Sequence, residues 1–163
     1  MKRTFLLLGL AVAAVVYLSS CKDDLTNDSF ENGSATITGV AYANLDLTND
    51  TVNGFEIDYE FAPAGTRLYA IINSEDLTQN SSAGVNYGDI IYETEVNGNG
   101  QYSITVAANA KTVTVVLTAD DFSANQIQSV TETESVTFEL GGDDSATVIN
   151  NMTKIVDLYF EEK

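Results

Sequence analysis

The chemically reactive side chains in this 163-residue chain are one thiol, Cys21, and 24 carboxylates, and there is no histidine. Without an imidazole, Ser-His-Asp and Cys-His nucleophile systems are excluded, together with His-containing zinc sites. Three of the carboxylates, Glu56, Asp58 and Glu60, alternate with Phe55, Ile57, Tyr59 and Phe61. Period two puts the apolar groups on one face of a strand and the acids on the other, so the acids are expected to be a solvent face, not a catalytic ladder. Asn44, Asp46 and Asp50 share one polar segment and carry the hard oxygens that calcium takes. Their spacing matches no EF-hand, and a solvated loop is the expectation. A glycosidase pair needs a cleft that raises the pKa of one carboxyl, and a small domain offers little room for it. The sequence therefore predicts no catalytic residue, no cofactor and no metal.

The thiol sits in a different setting. Lys2 and Arg3 precede an apolar run over residues 5–18, shorter than the ~18 or more residues that a permanent span needs. This is the pattern of a secretory signal peptide over residues 1–20. Leu18-Ser19-Ser20-Cys21 resembles the lipobox of bacterial lipoproteins. The resemblance implies acylation of the Cys21 thiol, cleavage before it, and a mature protein tethered to a membrane by two or three acyl chains without spanning it. Lys22-Asp23-Asp24 resembles the surface-export signal of Bacteroidetes-type lipoproteins, which implies the cell-surface side of the outer membrane. Asp50-Thr51-Val52 and Asp144-Ser145-Ala146 resemble the motif for O-glycosylation of exported proteins in the same bacteria, with Thr51 and Ser145 as acceptors in expected loops. With its one cysteine lipidated, the chain has no internal disulfide. The net charge of −17 repels nucleic acid and anionic lipid.

The elements that position these groups follow from pattern. Residues 21–33 are polar and acidic and predict a flexible spacer. Residues 34–43 predict a first strand, with Gly39 as a bulge that shifts the inward side from Ile37 to Val40 and Tyr42. Residues 44–54 predict a loop that carries no core, and residues 55–61 a half-buried strand. Pro63-Ala64-Gly65-Thr66 is a turn into a strand over residues 67–73, with Leu68, Ala70 and Ile72 on one side. Residues 74–89 predict a long loop, with Ser74 capping one helical turn and Tyr87 as an aromatic contact, and a loop of this length points to binding or flexibility. Further strands are expected over residues 90–96, 102–106, 113–117, 130–140 and 154–160. Asn97 to Gly100 forms the tight turn between two of them.

Pro63-Ala64-Gly65 leading to Tyr69-Ala70, and Asn97-Gly98-Asn99-Gly100-Gln101-Tyr102-Ser103-Ile104, resemble the entry and the glycine turn of transthyretin-like domains, the group that includes carboxypeptidase regulatory-like repeats. The resemblance implies a Greek-key sandwich that acts as a structural or binding accessory. Some relatives form a Lys-to-Asn cross-link, for which Lys111 or Lys154 would have to serve. The expected architecture is all-β: a single Greek-key β-sandwich of seven to eight strands over residues 34–163. The expected role is a noncatalytic lipoprotein that meets a protein partner through a sheet edge or the 74–89 loop. A glycan-binding accessory using exposed tyrosines is the alternative, and a hydrolase the least favoured reading.

Overall fold

Strand β1 (Gly33–Ala43) runs through the centre of the molecule, and its side chains alternate without interruption. Ala35, Ile37, Gly39, Ala41 and Ala43 are buried, whereas Thr36, Thr38, Val40 and Tyr42 lie half-buried on the opposite face. The bulge expected at Gly39 is absent. The glycine answers a close approach instead: a Cβ there would sit 1.7 Å from the Val156 carbonyl oxygen and 3.1 Å from the Tyr102 ring. The computed structural model describes residues 33–50, 57–78, 80–142 and 144–163. Cys21, Lys22, Asp23, Asp24, Thr51, Phe55 and Glu56 lie outside them.

On one side, β1 is antiparallel to β5 (Gln101–Ala108), from Gly33 opposite Ala108 to Val40 opposite Gln101, and then to the two-residue β2 (Glu60–Phe61). On the other side it is parallel to β10 (Thr153–Ile155) and β11 (Leu158–Glu162), two halves of one interrupted strand. At the interruption, the Val156 N–H donates to the Thr38 carbonyl and the Val156 carbonyl accepts the Tyr102 hydroxyl at 2.7 Å. The sheet continues through β8 (Glu132–Leu140) to β7 (Phe122–Ser129). The second sheet has the order β4 (Asp89–Glu95), β3 (Arg67–Asn73), β6 (Val113–Ala119), β9 (Asp144–Val148), all antiparallel. β6 returns to β3 after β4 and β5, which is a Greek-key connection.

The inward faces of the two sheets form one core, with Ile37, Leu68, Ile72, Val106, Val113, Val115 and Leu117 fully buried. Phe122, Phe138 and Phe160 extend it, with ring centroids 5.0–5.4 Å apart. Each such side chain contributes about 1.5–3 kcal/mol by burial. The all-β sandwich is the architecture expected, and its strand inventory is longer.

β7 and β9 were not anticipated. β7 carries a polar residue at an inward position, Gln126, which is 2% exposed and donates to the Asn44 carbonyl. The strand expected from Val130 starts at Glu132, and Val130 stands in the turn, 96% exposed.

The segment 55–61 departs further. Among its described residues only Glu60 and Phe61 pair, and Ile57 and Phe61 are 46% and 51% exposed. Its apolar face does not join the core, because the Glu60 carboxylate accepts the N–H groups of Leu45 and Asp46 and the amide of Asn49. Those bonds hold the acidic side against the neighbouring loop, where an acid can be satisfied. That loop is not free of core: Leu45 packs against it, and Leu45 and Leu47 pair with the outer edge of β7 at Ile127. The turn over Ser74–Leu77 is capped by Asn73 and not by Ser74, with the Asn73 side chain accepting the Glu75 N–H at 3.0 Å.

Candidate functional site

The outer face of the first sheet is built from rows set by strand register. Ser103, Thr38 and Ile155 form one row, Gln101 and Val40 with Asp157 beside them the next, and Phe61, Tyr42 and Tyr159 the last. The last row is aromatic across three strands. Tyr42 lies 6.0 Å from Phe61 at a 37° tilt and 5.4 Å from Tyr159, nearly parallel at 21°. Tyr59 meets Tyr159 edge-on at 5.1 Å. Such cross-strand pairs stabilise the sheet by about 0.5–1.5 kcal/mol each beyond burial. Phe61 and Tyr159 nonetheless remain 51% and 43% exposed. Gly100, at φ +72°, leaves room for Phe61: a Cβ there would come within 2.7 Å of its ring.

Tyr42 is thus flanked by a ring on each side, and Tyr159 is met by Tyr42 and Tyr59. Beside the row lies a groove of about 440 Å³, lined by Thr38, Val40, Glu95, Gln101, Ser103 and Asp157 among others, and among the described residues no lysine or arginine lines it. Its floor includes Tyr102. Burial pushes the Tyr102 phenol above the ordinary tyrosine range, with the charges of Asp157 and Asp144 adding to the effect. The proton therefore stays on the hydroxyl that holds Val156.

The residues singled out from sequence fall elsewhere. Tyr87 is half-buried, and its hydroxyl accepts the Ser82 N–H at 2.9 Å, so it closes its own loop. Ser145 is exposed as expected but lies within β9 rather than in a loop. Asn44 and Asp50 are bonded to each other, and the carboxylates of Asp46 and Asp50 accept from neighbouring groups. Asp46 accepts from Thr48, and Asp50 accepts from Asn44 and from the Asp58 N–H. Asn44 Oδ1 is buried without a partner among the described residues. Among those residues no three acidic side chains converge as metal ligands. Lys111 and Lys154 are both exposed, whereas an internal cross-link needs a buried lysine.

The bulge expected at Gly39 turns Tyr42 inward and so hides the aromatic row from the sequence pattern. The signal was available in the alternation of Thr36, Thr38, Val40 and Tyr42, and in Tyr159 between Leu158 and Phe160.

No family model matches the chain, and neither does any curated protein. Among solved structures, the major plantain pollen allergen Pla l 1 aligns with 80% of this chain and 95% of its own, at 15% identity and a TM-score of 0.39. The shaft pilin SpaA of Lactobacillus rhamnosus GG, crystallised as mutants, aligns with 80% of this chain at 11% identity and a TM-score of 0.40. This chain spans about half of the pilin, 51% of its length. At these values neither likeness carries an argument about function.

Proposed function

We propose that this protein is a noncatalytic interaction module, held at the cell-surface side of the outer membrane by lipid on Cys21, with Lys22, Asp23 and Asp24 directing its export. It binds a protein partner across the outer face of its first sheet. The observation that carries this reading is the Phe61–Tyr42–Tyr159 row, whose two outer members are exposed. Tyrosine and phenylalanine supply large contact area at a low entropy cost and are enriched where proteins meet. A sugar ring needs an open aromatic face, whereas Tyr42 and Tyr159 stack on each other.

The test is co-purification after cross-linking in native membranes, comparing wild type with a Tyr42→Ser, Phe61→Ser, Tyr159→Ser variant. A stoichiometric partner recovered with wild type and lost from the variant supports the reading; equal recovery from both rejects it. Cys21→Ala tests the anchor, since the variant should leave the membrane fraction or stall in processing.

The groove supports a second reading, a glycan-binding accessory, because hydroxyl, amide and carboxylate groups lie beside the aromatic row. Glycan-array binding that is lost on Gln101→Ala, with no protein partner recovered, would establish it. Tyr87→Ala should leave either activity unchanged, because Tyr87 is turned into its own loop.

A further inference from the structure

We propose that β9 accepts an extended segment of a different polypeptide as a fifth strand of the second sheet. An exposed strand edge is a template for pairing, and folded proteins guard such edges with charge, shortness or cover. The other edges are guarded here. β5 is met by β4: the Tyr92 hydroxyl accepts the Ala107 N–H at 3.1 Å, and the Thr94 hydroxyl donates to the Ser103 carbonyl at 2.9 Å. β4 carries Asp89, Glu93 and Glu95 as exposed acids. β7 is covered at Ile127 by Leu45 and Leu47. β10 is only three residues long and stops at the Val156 break.

β9 is less guarded, although β10 passes beside it without pairing. Its five residues, Asp-Ser-Ala-Thr-Val, include no lysine, arginine, proline or glycine, and one acid at the first position. Among the described residues it pairs with β6 alone. Alternate residues of an antiparallel strand turn their N–H and C=O groups away from the neighbour. On β9 those outward groups meet no partner among the described residues.

The chemistry selects the occupant. A row of alternating donors and acceptors at strand spacing is matched by another extended polypeptide and by nothing smaller. Ala146 and Val148 are already buried in the core, so no side-chain pocket waits to be filled and recognition rests on the backbone. The net charge of −17 opposes a second copy of this chain and favours a neutral or basic segment. This surface belongs to the sheet opposite the aromatic row, so either proposal can fail without the other.

The test is hydrogen–deuterium exchange of the full chain with a nine-residue peptide of alternating threonine and valine flanked by lysines. Exchange should slow across residues 144–148 and stay unchanged across 89–95. Methylating the peptide's central amide nitrogens, or replacing its lysines with glutamates, should weaken binding at least tenfold. Thr147→Lys should do the same while leaving the melting transition in place. Protection at β4 or β10 instead, no protection anywhere, or indifference to N-methylation would overturn the proposal. So would a glycan on Ser145 in protein from native cells, because it would stand on this edge.

Discussion

Along one side of the sandwich, two side chains of β4 reach across to β5 and satisfy backbone groups on its free side, Tyr92 at Ala107 and Thr94 at Ser103. Along the other side, β9 and β10 end their sheets next to each other, and no hydrogen bond joins them among the described residues. The two sides have similar backbones and different side chains. A tyrosine whose ring packs on the core can still place its hydroxyl at a neighbouring edge, so one residue serves burial and closure together. Ser145 and Thr147 are too short to do so. The difference shows that closing a sandwich is a side-chain decision made edge by edge. An edge left without one is therefore informative about partners.

The largest expected effect comes from breaking the bare side at its root. Gly39→Ala would drive a Cβ into the Val156 carbonyl, 1.7 Å away, at the joint that carries β10 and β11. It should cost about 3 kcal/mol or more, read from denaturant unfolding; a cost below about 1 kcal/mol would show that the joint yields.

Tyr102→Phe attacks the hydroxyl that ties β5, on the closed side, to that joint. Leaving the Val156 carbonyl without this partner should cost about 1–3 kcal/mol. It should also change the response to alkali. The folded state holds the phenol protonated beyond the ordinary tyrosine value of 10.0, with burial as the main cause. Its contribution is thus complete below that pH and is lost as the pH rises above it, when the unfolded chain releases its proton first. Wild type should lose stability above about pH 10 by a component that the phenylalanine variant lacks. Identical alkaline unfolding profiles would remove this role.

Opening the closed side sharpens the contrast by making it resemble the bare one. Tyr92→Phe and Thr94→Val each remove one cross-edge bond and should cost about 0.5–1.5 kcal/mol. The distinctive readout is local: the Ala107 amide, which donates to Tyr92, should exchange faster in Tyr92→Phe, and unchanged exchange would show that Tyr92 does not close this edge.

Much of this arrangement was legible in the chain, and the reason it stopped being so is specific. In β3 and β6 alternation and burial coincide, so Leu68, Ala70 and Ile72, and Val113, Val115 and Leu117, face the core as their spacing implies. The turn ending at Gly100 has the positive φ that its glycine suggests. Alternation, however, separates two faces without saying which is inward. In residues 57–61 the apolar side faces out, because Glu60 is held by three donors from a loop distant in sequence. In β7 the inward Gln126 depends on the Asn44 carbonyl, another long-range bond that hides the strand from pattern reading. The aromatic row needed the register of three strands, and a glycine with two possible meanings concealed it.

The smallest effect is expected where the comparison is most exposed to refutation. Thr147 is exposed on β9, and a bare edge offers no neighbour for a longer side chain to displace. Thr147→Lys should therefore change stability by no more than about 0.5 kcal/mol, the usual range for surface substitutions. It also adds the charge by which strand edges are commonly guarded. β4 already carries such guards in Asp89, Glu93 and Glu95, so the substitution gives one edge of the sheet what the other has. A loss above about 1 kcal/mol would mean that Thr147 is packed or paired in solution. β9 would then be a closed edge like β5, and the asymmetry between the two sides would disappear.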